Sequence, residues 1–339
     1  MLTLAVALLV ILVVLLGPVF VGAIERNVEL FFLIVGALTA CITGRFDVAL
    51  VRAALSEPLS FTLAVLIFGA AFRFLRDYLD NLLASAIQML QPRFLCFWLA
   101  IALGFLAAFI TPVVSALVFV EAIALLRCDR SEEIAVTVFA CFAIGIGAGL
   151  TPLGMPGLAV VLRSLHADFW YLTRLLGPFI AVGVILAATP ILFLPMEPGE
   201  PMHVIRLKDS WKTVLMLRPG KVYVFIAGLV MLSDGLRPAV NAYIHHAPEG
   251  LLFWVNTLSA VVNNSTLAAI EISPSLSIHQ QRAALLGLLI SGGALVPGNI
   301  PNIVAASRLL ITNREWARIG LGAAVVLLIL CFAVLRFLN

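Results

Sequence analysis

Long apolar runs, separated by short polar or proline- and glycine-rich segments, extend from Leu2 to Leu338. A helix of about 20 apolar residues crosses the hydrocarbon core of a bilayer, and charged, proline and glycine residues mark where such a helix ends. The pattern predicts uninterrupted membrane spans at 2–22, 28–44, 58–76, 174–194, 222–244 and 317–338.

Two other apolar regions carry a polar or proline interruption near the middle. The first covers about 94–126 and is interrupted at Thr111-Pro112, and the second covers about 250–276 and is interrupted at Asn263-Asn264-Ser265-Thr266. Each half of the second region has only about 10–13 apolar residues, too few for a crossing of its own. Both regions therefore predict a re-entrant hairpin, which enters the membrane by one short helix and leaves by another.

Two further segments predict broken helices, 134–165 with the interruption GLTPLGMPG and 281–311 with the interruption VPGNIPN. The interruptions belong to an internal repeat. A shift of 145 residues places Pro152, Pro156 and Arg163 on Pro297, Pro301 and Arg308, and a shift of 152 residues places Thr111-Pro112 on Asn263-Asn264.

This repeat predicts the organisation of the whole chain. Two leading helices occupy 1–57, repeat 1 covers 58–194, a linker follows at 195–221, and repeat 2 covers 222–339. Each repeat contains a span, a hairpin, a broken helix and a further span, so that it crosses the membrane an odd number of times. The second copy is therefore inverted, and inverted repeats with broken helices are typical of secondary transporters.

Composition sets the class of protein. The chain is 63% apolar and 12% charged, with a mean hydropathy of +1.13. No water-soluble fold could cover that apolar surface, which predicts an all-α polytopic protein of the cell (inner) membrane. The expected partners are the lipid bilayer and a small ion and not nucleic acid, and a homodimer is left open.

The distribution of Lys and Arg predicts the orientation. With the segments above, 14 of the 21 basic residues fall on one side of the membrane and seven on the other. Because cytoplasmic loops are enriched in Lys and Arg, the linker 195–221 is expected in the cytoplasm and both termini outside.

Polar residues at the interruptions are candidates for an ion site. Unwound backbone at membrane depth is tolerated only inside the protein or beside a wet cavity, and neutral oxygens there suit a small cation such as Na⁺. Hydrogen bonding between packed helices is the alternative interpretation. The second repeat supplies Asn263, Asn264, Ser265, Thr266, Asn299 and Asn302, and the first supplies Thr111 and Thr151.

Two carboxylates, Glu121 and Glu271, lie in the outgoing arms of the hairpins. Burial of a charge in a membrane is costly, so both are candidates for coupling transport to a proton or a cation. A solvated pair with Arg127 is the alternative for Glu121. Asp234 and Arg237 are one helical turn apart in a predicted span and are expected to pair with each other.

The residues at these positions resemble those of the ion transporter superfamily, which includes arsenite permeases, type D sodium/proton antiporters and dicarboxylate symporters. Asn263-Asn264-Ser265 is similar to its hairpin tips, and the run from Pro297 to Asn302 is similar to its Gly-Thr-Pro-Pro-Asn break. Ile24 to Phe32, Phe119 to Ala122 and NNSTLAAIEISPSL resemble an uncharacterised family of proposed cation transporters within it. The resemblance spans almost the full chain and implies this fold and a transport function.

The first repeat departs from the superfamily pattern. Its hairpin tip, Thr111-Pro112-Val113, lacks an asparagine, and its helix break ends in Pro156-Gly157 where the superfamily tends to have Asn. The cation site is therefore expected in the second repeat.

Enzyme motifs are absent from the sequence. His245-His246 with Glu249 does not form an HExxH zinc motif, and neither a GxSxG elbow nor a phosphate-binding loop occurs. We therefore expect a secondary active transporter of an inorganic cation, resembling a Na⁺/H⁺ antiporter, with no cofactor and no metal beyond a bound Na⁺ at the second tip. The alternative is a Na⁺-coupled symporter of a small anion such as a dicarboxylate or arsenite, and a channel and an intramembrane hydrolase are remote alternatives.

Overall fold

The computed structural model is built of helices. It describes residues 27–59, 89–126, 128–196, 216–243, 246–257 and 264–338, together with scattered helical positions between 7 and 24 and between 62 and 78. The α-helices in the continuous ranges are α1 Val28–Ile42, α2 Val48–Ser56, α3 Pro92–Ile110, α4 Pro112–Leu126, α5 Arg130–Gly147, α6 Pro156–Leu165, α7 Tyr171–Ala188, α8 Arg218–Tyr243, α9 Glu249–Val255, α10 Asn264–Glu271, α11 Ile278–Ser291, α12 Ile300–Leu309 and α13 Asn313–Leu338.

Five helical segments in this part of the chain are long and apolar enough to cross a membrane. They are Pro92–Ile110, Arg130–Leu150, Tyr171–Phe193, Pro219–Ala239 and Asn313–Phe337. The last three confirm the helices predicted at 174–194, 222–244 and 317–338. The architecture is consistent with a polytopic membrane protein.

Two predicted elements differ in length from what the sequence suggested. The span expected at 28–44 is the 15-residue helix α1. Helix α3, expected as a short hairpin arm, has 19 residues and is long enough to cross by itself. Its apolar run continues without a breaker until Thr111, so its hydrogen-bonded ladder is not interrupted earlier.

The helix breaks lie where glycine and proline were expected to cause them. Helix α5 gives way to a 3₁₀ turn at Ala148–Leu150, and α6 begins at Pro156. Helix α11 ends at Ser291, a 3₁₀ turn covers Val296–Gly298, and α12 begins at Ile300. Proline cannot donate to the helical ladder but is tolerated in the first turn, which sets where each second half starts.

Buried apolar side chains form two clusters. The first core contains residues of α3, α4, α5, α7, α9, α11, α12 and α13. The second core is built mainly on α1, α2 and α8. Helices α6 and α10 belong to both, since Leu158 and Ala268 lie in the first core and Val160 and Ala269 in the second. These two short helices therefore join the two cores.

Helices α1 and α8 run parallel in the second core. Lys221 Nζ lies 2.8 Å from Glu29 Oε1 near the start of both helices. Further along, Gly36 lies against the Gly228 backbone, and Gly235 lies against Thr39. A side chain at Gly36 or Gly228 would overlap the facing backbone, so glycine permits this close approach.

Candidate functional site

The candidate ion site lies where α11 ends and α10 and α12 begin. The side-chain amide of Asn302 donates to the carbonyl of Gly292 over 2.9 Å and to the carbonyl of Leu295 over 2.8 Å. Both carbonyls belong to the unwound segment between α11 and α12. Asn302 is fully buried, and its Oδ1 has no hydrogen-bond partner among the residues that the structure describes.

Asn264 meets the same segment from the other side. A Cβ atom at Gly292 would overlap the amide of Asn264, so glycine makes room for this side chain. Asn264 is 1% exposed, and within the described part of the chain neither its Oδ1 nor its Nδ2 has a hydrogen-bond partner. The structure thus brings two of the predicted site residues, Asn264 and Asn302, together at Gly292.

Other predicted residues surround this point. Thr266 is fully buried, and its Oγ1 has no hydrogen-bond partner in the described ranges. Asn299 accepts from the backbone N–H of Ile300 over 2.9 Å, while its unpartnered Nδ2 lies against Gly145 of α5. The backbone of Ser265 lies against Gly157, which places the start of α10 beside the start of α6.

The predicted site is rich in unsatisfied polar atoms. Buried polar atoms in native proteins are nearly always hydrogen-bonded, and each exception calls for an explanation. Among the described residues, Asn264 and Thr266 on α10 and Asn299 and Asn302 at the start of α12 carry five such atoms, all in amide or hydroxyl groups without a formal charge. Such a set can receive an ion, because the ion would replace its hydration shell with these atoms. Asn263 lies outside the described residues.

The first-repeat candidates occupy different surroundings. Thr151 donates its hydroxyl to the carbonyl of Ala108, which ties the α5–α6 break to the last turns of α3. Thr111 is buried with φ 76° and ψ 146°, a conformation that is costly for a β-branched residue. Thr151 therefore connects the α5–α6 break to α3 by a hydrogen bond, and Thr111 has a strained backbone conformation between α3 and α4.

The two candidate carboxylates also differ. Glu271 is buried at the end of α10 and accepts a hydrogen bond of 3.0 Å from Asn256 Nδ2. Glu121 lies on α4 at intermediate exposure and has interactions of its own. Arg127, its suggested partner, lies outside the described residues.

Sequence reasoning missed Asn256. It lies just after α9, is 2% exposed, and joins Glu271 to the end of α11 through its side chain and its backbone. A signal was available, since Asn256 stands seven residues before Asn263 and Glu271 stands seven residues after Asn264. The hairpin predicted with its tip at Asn263-Asn264 would bring such positions together.

A charged cluster joins α6, α8 and the residue that follows α2. Arg237 pairs with Asp234 over 2.8 Å, which confirms the predicted pair. Asp234 also pairs with Arg163 over 3.3 Å, and Arg163 Nε lies 2.6 Å from Glu57 Oε1. Burial raises the pKa of the Glu57 carboxyl, and the guanidinium of Arg163 opposes that rise.

The chain belongs to the family described as "Protein of unknown function (DUF1646)", whose sequence profile matches residues 3–338. A search of the curated proteins finds no match.

Proposed function

We propose that this protein is a secondary active transporter that binds a monovalent inorganic cation, of the Na⁺ class, between α10, α11 and α12. The observation that carries the proposal is the fixed amide of Asn302. Both of its hydrogen bonds are donated to backbone carbonyls, and its buried Oδ1 accepts from no donor among the described residues.

The orientation of this amide follows from its partners. A flipped side chain would place Oδ1 against the carbonyl oxygens of Gly292 and Leu295, which is repulsive. The free atom is therefore an oxygen. Asn264 contributes a second amide oxygen at Gly292 that has no partner among the described residues, and neutral oxygens of this kind suit a small cation.

The packing of the broken helices supports an inverted repeat with two hairpins. Helix α4 packs on α12, and α10 packs on α6, so that the outgoing arm of each proposed hairpin contacts the second half of the other repeat's broken helix. Helices α6 and α12 each have 10 residues and end in the left-handed conformation, at His166 and Leu310. These endings are 144 residues apart, close to the 145-residue shift of the prolines.

The grouping of charges supports the proposed topology. Arg45, Arg163 and Arg237 line one cleft of about 130 Å³, and all three belong to the set expected outside. Arg130 pairs with Glu315 and donates to the carbonyl of Leu309, in a region expected to be cytoplasmic. The proposal places the Lys221 end of the parallel pair α1 and α8 in the cytoplasm.

A Na⁺-coupled symporter of a small anion is the second candidate. The unpartnered Nδ2 of Asn299 is a hydrogen-bond donor beside the first turn of α12, and helix N-termini favour anions. A dicarboxylate or arsenite-like substrate would use this donor, with Na⁺ on the oxygens of Asn264 and Asn302.

A thermal-shift screen of the purified protein tests the proposal. Na⁺, Li⁺, K⁺, arsenite and dicarboxylates are compared at constant ionic strength, since a ligand that binds the native state raises the melting temperature. We expect Na⁺ or Li⁺ to stabilise the wild type and to lose that effect in Asn264→Ala. An anion that stabilises only in the presence of Na⁺ supports the symporter, and a wild type that responds to none of these cations contradicts both candidates.

A further inference from the structure

Glu271 makes one polar side-chain contact in the part of the chain that the structure describes, and its partner is Asn256. Arm α9 leads into Asn256, whereas Glu271 ends arm α10, so the hydrogen bond of 3.0 Å connects the two arms. Both side chains are buried, and a hydrogen bond to a buried carboxylate is charge-assisted. The state of the carboxylate therefore acts directly on Asn256.

Asn256 is held at two further points. Its Nδ2 also donates to the carbonyl of Leu252 over 2.7 Å. Its backbone carbonyl accepts the hydroxyl of Ser291 over 2.8 Å. The same hydroxyl lies 2.5 Å from the carbonyl of Gly287, so Ser291 can exchange one acceptor for another without leaving the site.

Ser291 connects Asn256 to the candidate cation site. It is the last residue of α11, and the next residue, Gly292, presents its carbonyl to Asn302 and its Cα to the side chain of Asn264. A continuous series of buried contacts thus runs from the carboxylate of Glu271 through Asn256 and Ser291 to the amide of Asn302.

We infer that Asn256 is the positioning residue through which protonation of Glu271 changes cation affinity at Asn264 and Asn302. The inference rests on the proposed function and adds to it a means of coupling. A charged Glu271 holds the amide of Asn256 through a strong hydrogen bond. A neutral Glu271 holds it more weakly, which releases Asn256 and the hydroxyl of Ser291 and displaces the carbonyl of Gly292 that fixes Asn302.

Charged groups on neighbouring helices do not replace Asn256 in this role. Helix α10 packs on α6, α8 and α11. The ionisable side chains described on these helices have other partners. Arg163 pairs with Glu57 and Asp234, Arg237 pairs with Asp234, and Lys221 pairs with Glu29. Arg282 donates to the carbonyl of Leu175 and lies over the ring of Phe179, and His279 has contacts of its own at the start of α11.

The test measures Na⁺ affinity of the purified protein by calorimetry between pH 5.5 and 8.5, about 1.5 units to each side of neutrality. In the wild type, a proton that competes with Na⁺ weakens the affinity by up to about tenfold per pH unit. Because Asn256→Ala removes the amide through which Glu271 acts on Ser291, we expect it to bind Na⁺ at pH 8.5 about as weakly as the wild type does at pH 5.5 and to vary less than about twofold across the range. Asn256→Gln, which keeps the amide, should restore most of the pH dependence.

Ser233→Ala is the matched control. Ser233 donates to the carbonyl of Ala269 on the same helix α10 over 2.6 Å and is buried, but it is not in the series that leads to Asn302. This variant should keep the pH dependence of the wild type. A purely structural role for Asn256 would lower stability and leave the pH profile unchanged.

Ser291→Ala interrupts the series at its other link and should flatten the profile as Asn256→Ala does. If Asn256→Ala does not fold, Ser291→Ala alone tests whether the series transmits the protonation of Glu271. A wild-type pH dependence in Asn256→Ala, or in Ser291→Ala, overturns the inference while the proposed function stands. A flattened profile in Ser233→Ala overturns it as well, and a wild type that does not bind Na⁺ overturns both.

Discussion

Arg163 Nε lies 2.6 Å from Glu57 Oε1, and this ion pair links helix α6 to the residue that follows α2. A second pair, of 3.3 Å, joins Arg163 to Asp234 on α8. Glu57 and Asp234 flank the second core, while the neighbours of Arg163 on α6 also pack in the first core. Among the ion pairs described, the two that cross from one core to the other both involve Arg163.

Arg163→Ala should therefore loosen the contact between the cores. The side chains are about one-third exposed or less, so we expect a loss of stability of about 0.5–2 kcal/mol for the two pairs together. Thermal unfolding in detergent measures it. Arg174→Ala is the control, because its pair with Asp168 is 60% and 61% exposed and should contribute little. Equal melting temperatures for the two variants would contradict a linking role.

The breaks were predictable because glycine and proline act locally. Pro156 and Pro301 fix the first turns of α6 and α12, and the sequence around them pointed to both breaks. The length of α3 was not predictable in the same way. Nothing in its sequence distinguishes a re-entrant helix from one that crosses the membrane, because both kinds of helix are apolar along their whole length.

The candidate site was predictable in its residue types but not in its contacts. Asn264 and Asn302 stood out as polar residues in apolar surroundings, yet their convergence at Gly292 depends on how α10 packs against the end of α11. Thr151 shows the opposite case. It is a polar residue in the corresponding break of the first repeat, but its hydroxyl donates a hydrogen bond to the carbonyl of Ala108. Residue type identifies candidates, and tertiary packing decides which of them keep a free oxygen.

Gly292→Ala should abolish cation binding with little effect on expression. The added methyl group would overlap the amide of Asn264 and push that side chain out of place. We expect the stabilisation by Na⁺ to be lost in a thermal-shift assay. Gly322→Ala on α13 is the control, since nothing lies within 4 Å of the added atom and alanine favours a helix by up to about 1 kcal/mol. A full Na⁺ response in Gly292→Ala would remove Asn264 from the site.

Asn302→Asp should destabilise the protein as well as the site. The new carboxylate cannot donate to the carbonyls of Gly292 and Leu295, and three oxygens would then face one another in a buried place. We expect a loss of roughly 2–5 kcal/mol, measured by thermal unfolding. Asn313→Asp, an exposed change at the start of α13, should be neutral or slightly stabilising because acids suit a helix N-terminus. If Asn302→Asp is as stable as wild type, the hydrogen bonds of Asn302 do not hold its amide in place.

A cysteine at Ser210 tests the orientation. The excess of Lys and Arg on one side of the membrane predicts that the linker 195–221 is cytoplasmic. In a background without native cysteines, an impermeant thiol reagent should label this position only after the cells are opened. Asp168→Cys, in an exposed turn on the side expected outside, should be labelled in intact cells. The reverse pattern would invert the proposed topology.

Glu271→Gln should uncouple transport from the pH gradient. If Glu271 exchanges a proton for the transported cation, it must lose its charge during part of the cycle, and glutamine fixes the neutral form. Glutamine can still accept a hydrogen bond from Asn256, so the fold should survive, and the Na⁺ affinity should stay at the lower value of the protonated protein at every pH. Flux into proteoliposomes, with and without an imposed pH gradient, should show cation uptake that no longer responds to the gradient.

Glu121→Gln is the comparison, because Glu121 holds the corresponding place on α4. If Glu271→Gln keeps full pH-driven uptake and Glu121→Gln loses it, the coupling role belongs to the first hairpin. If both variants keep it, neither carboxylate couples protons, and Na⁺ symport through the neutral oxygens of Asn264 and Asn302 becomes the better account.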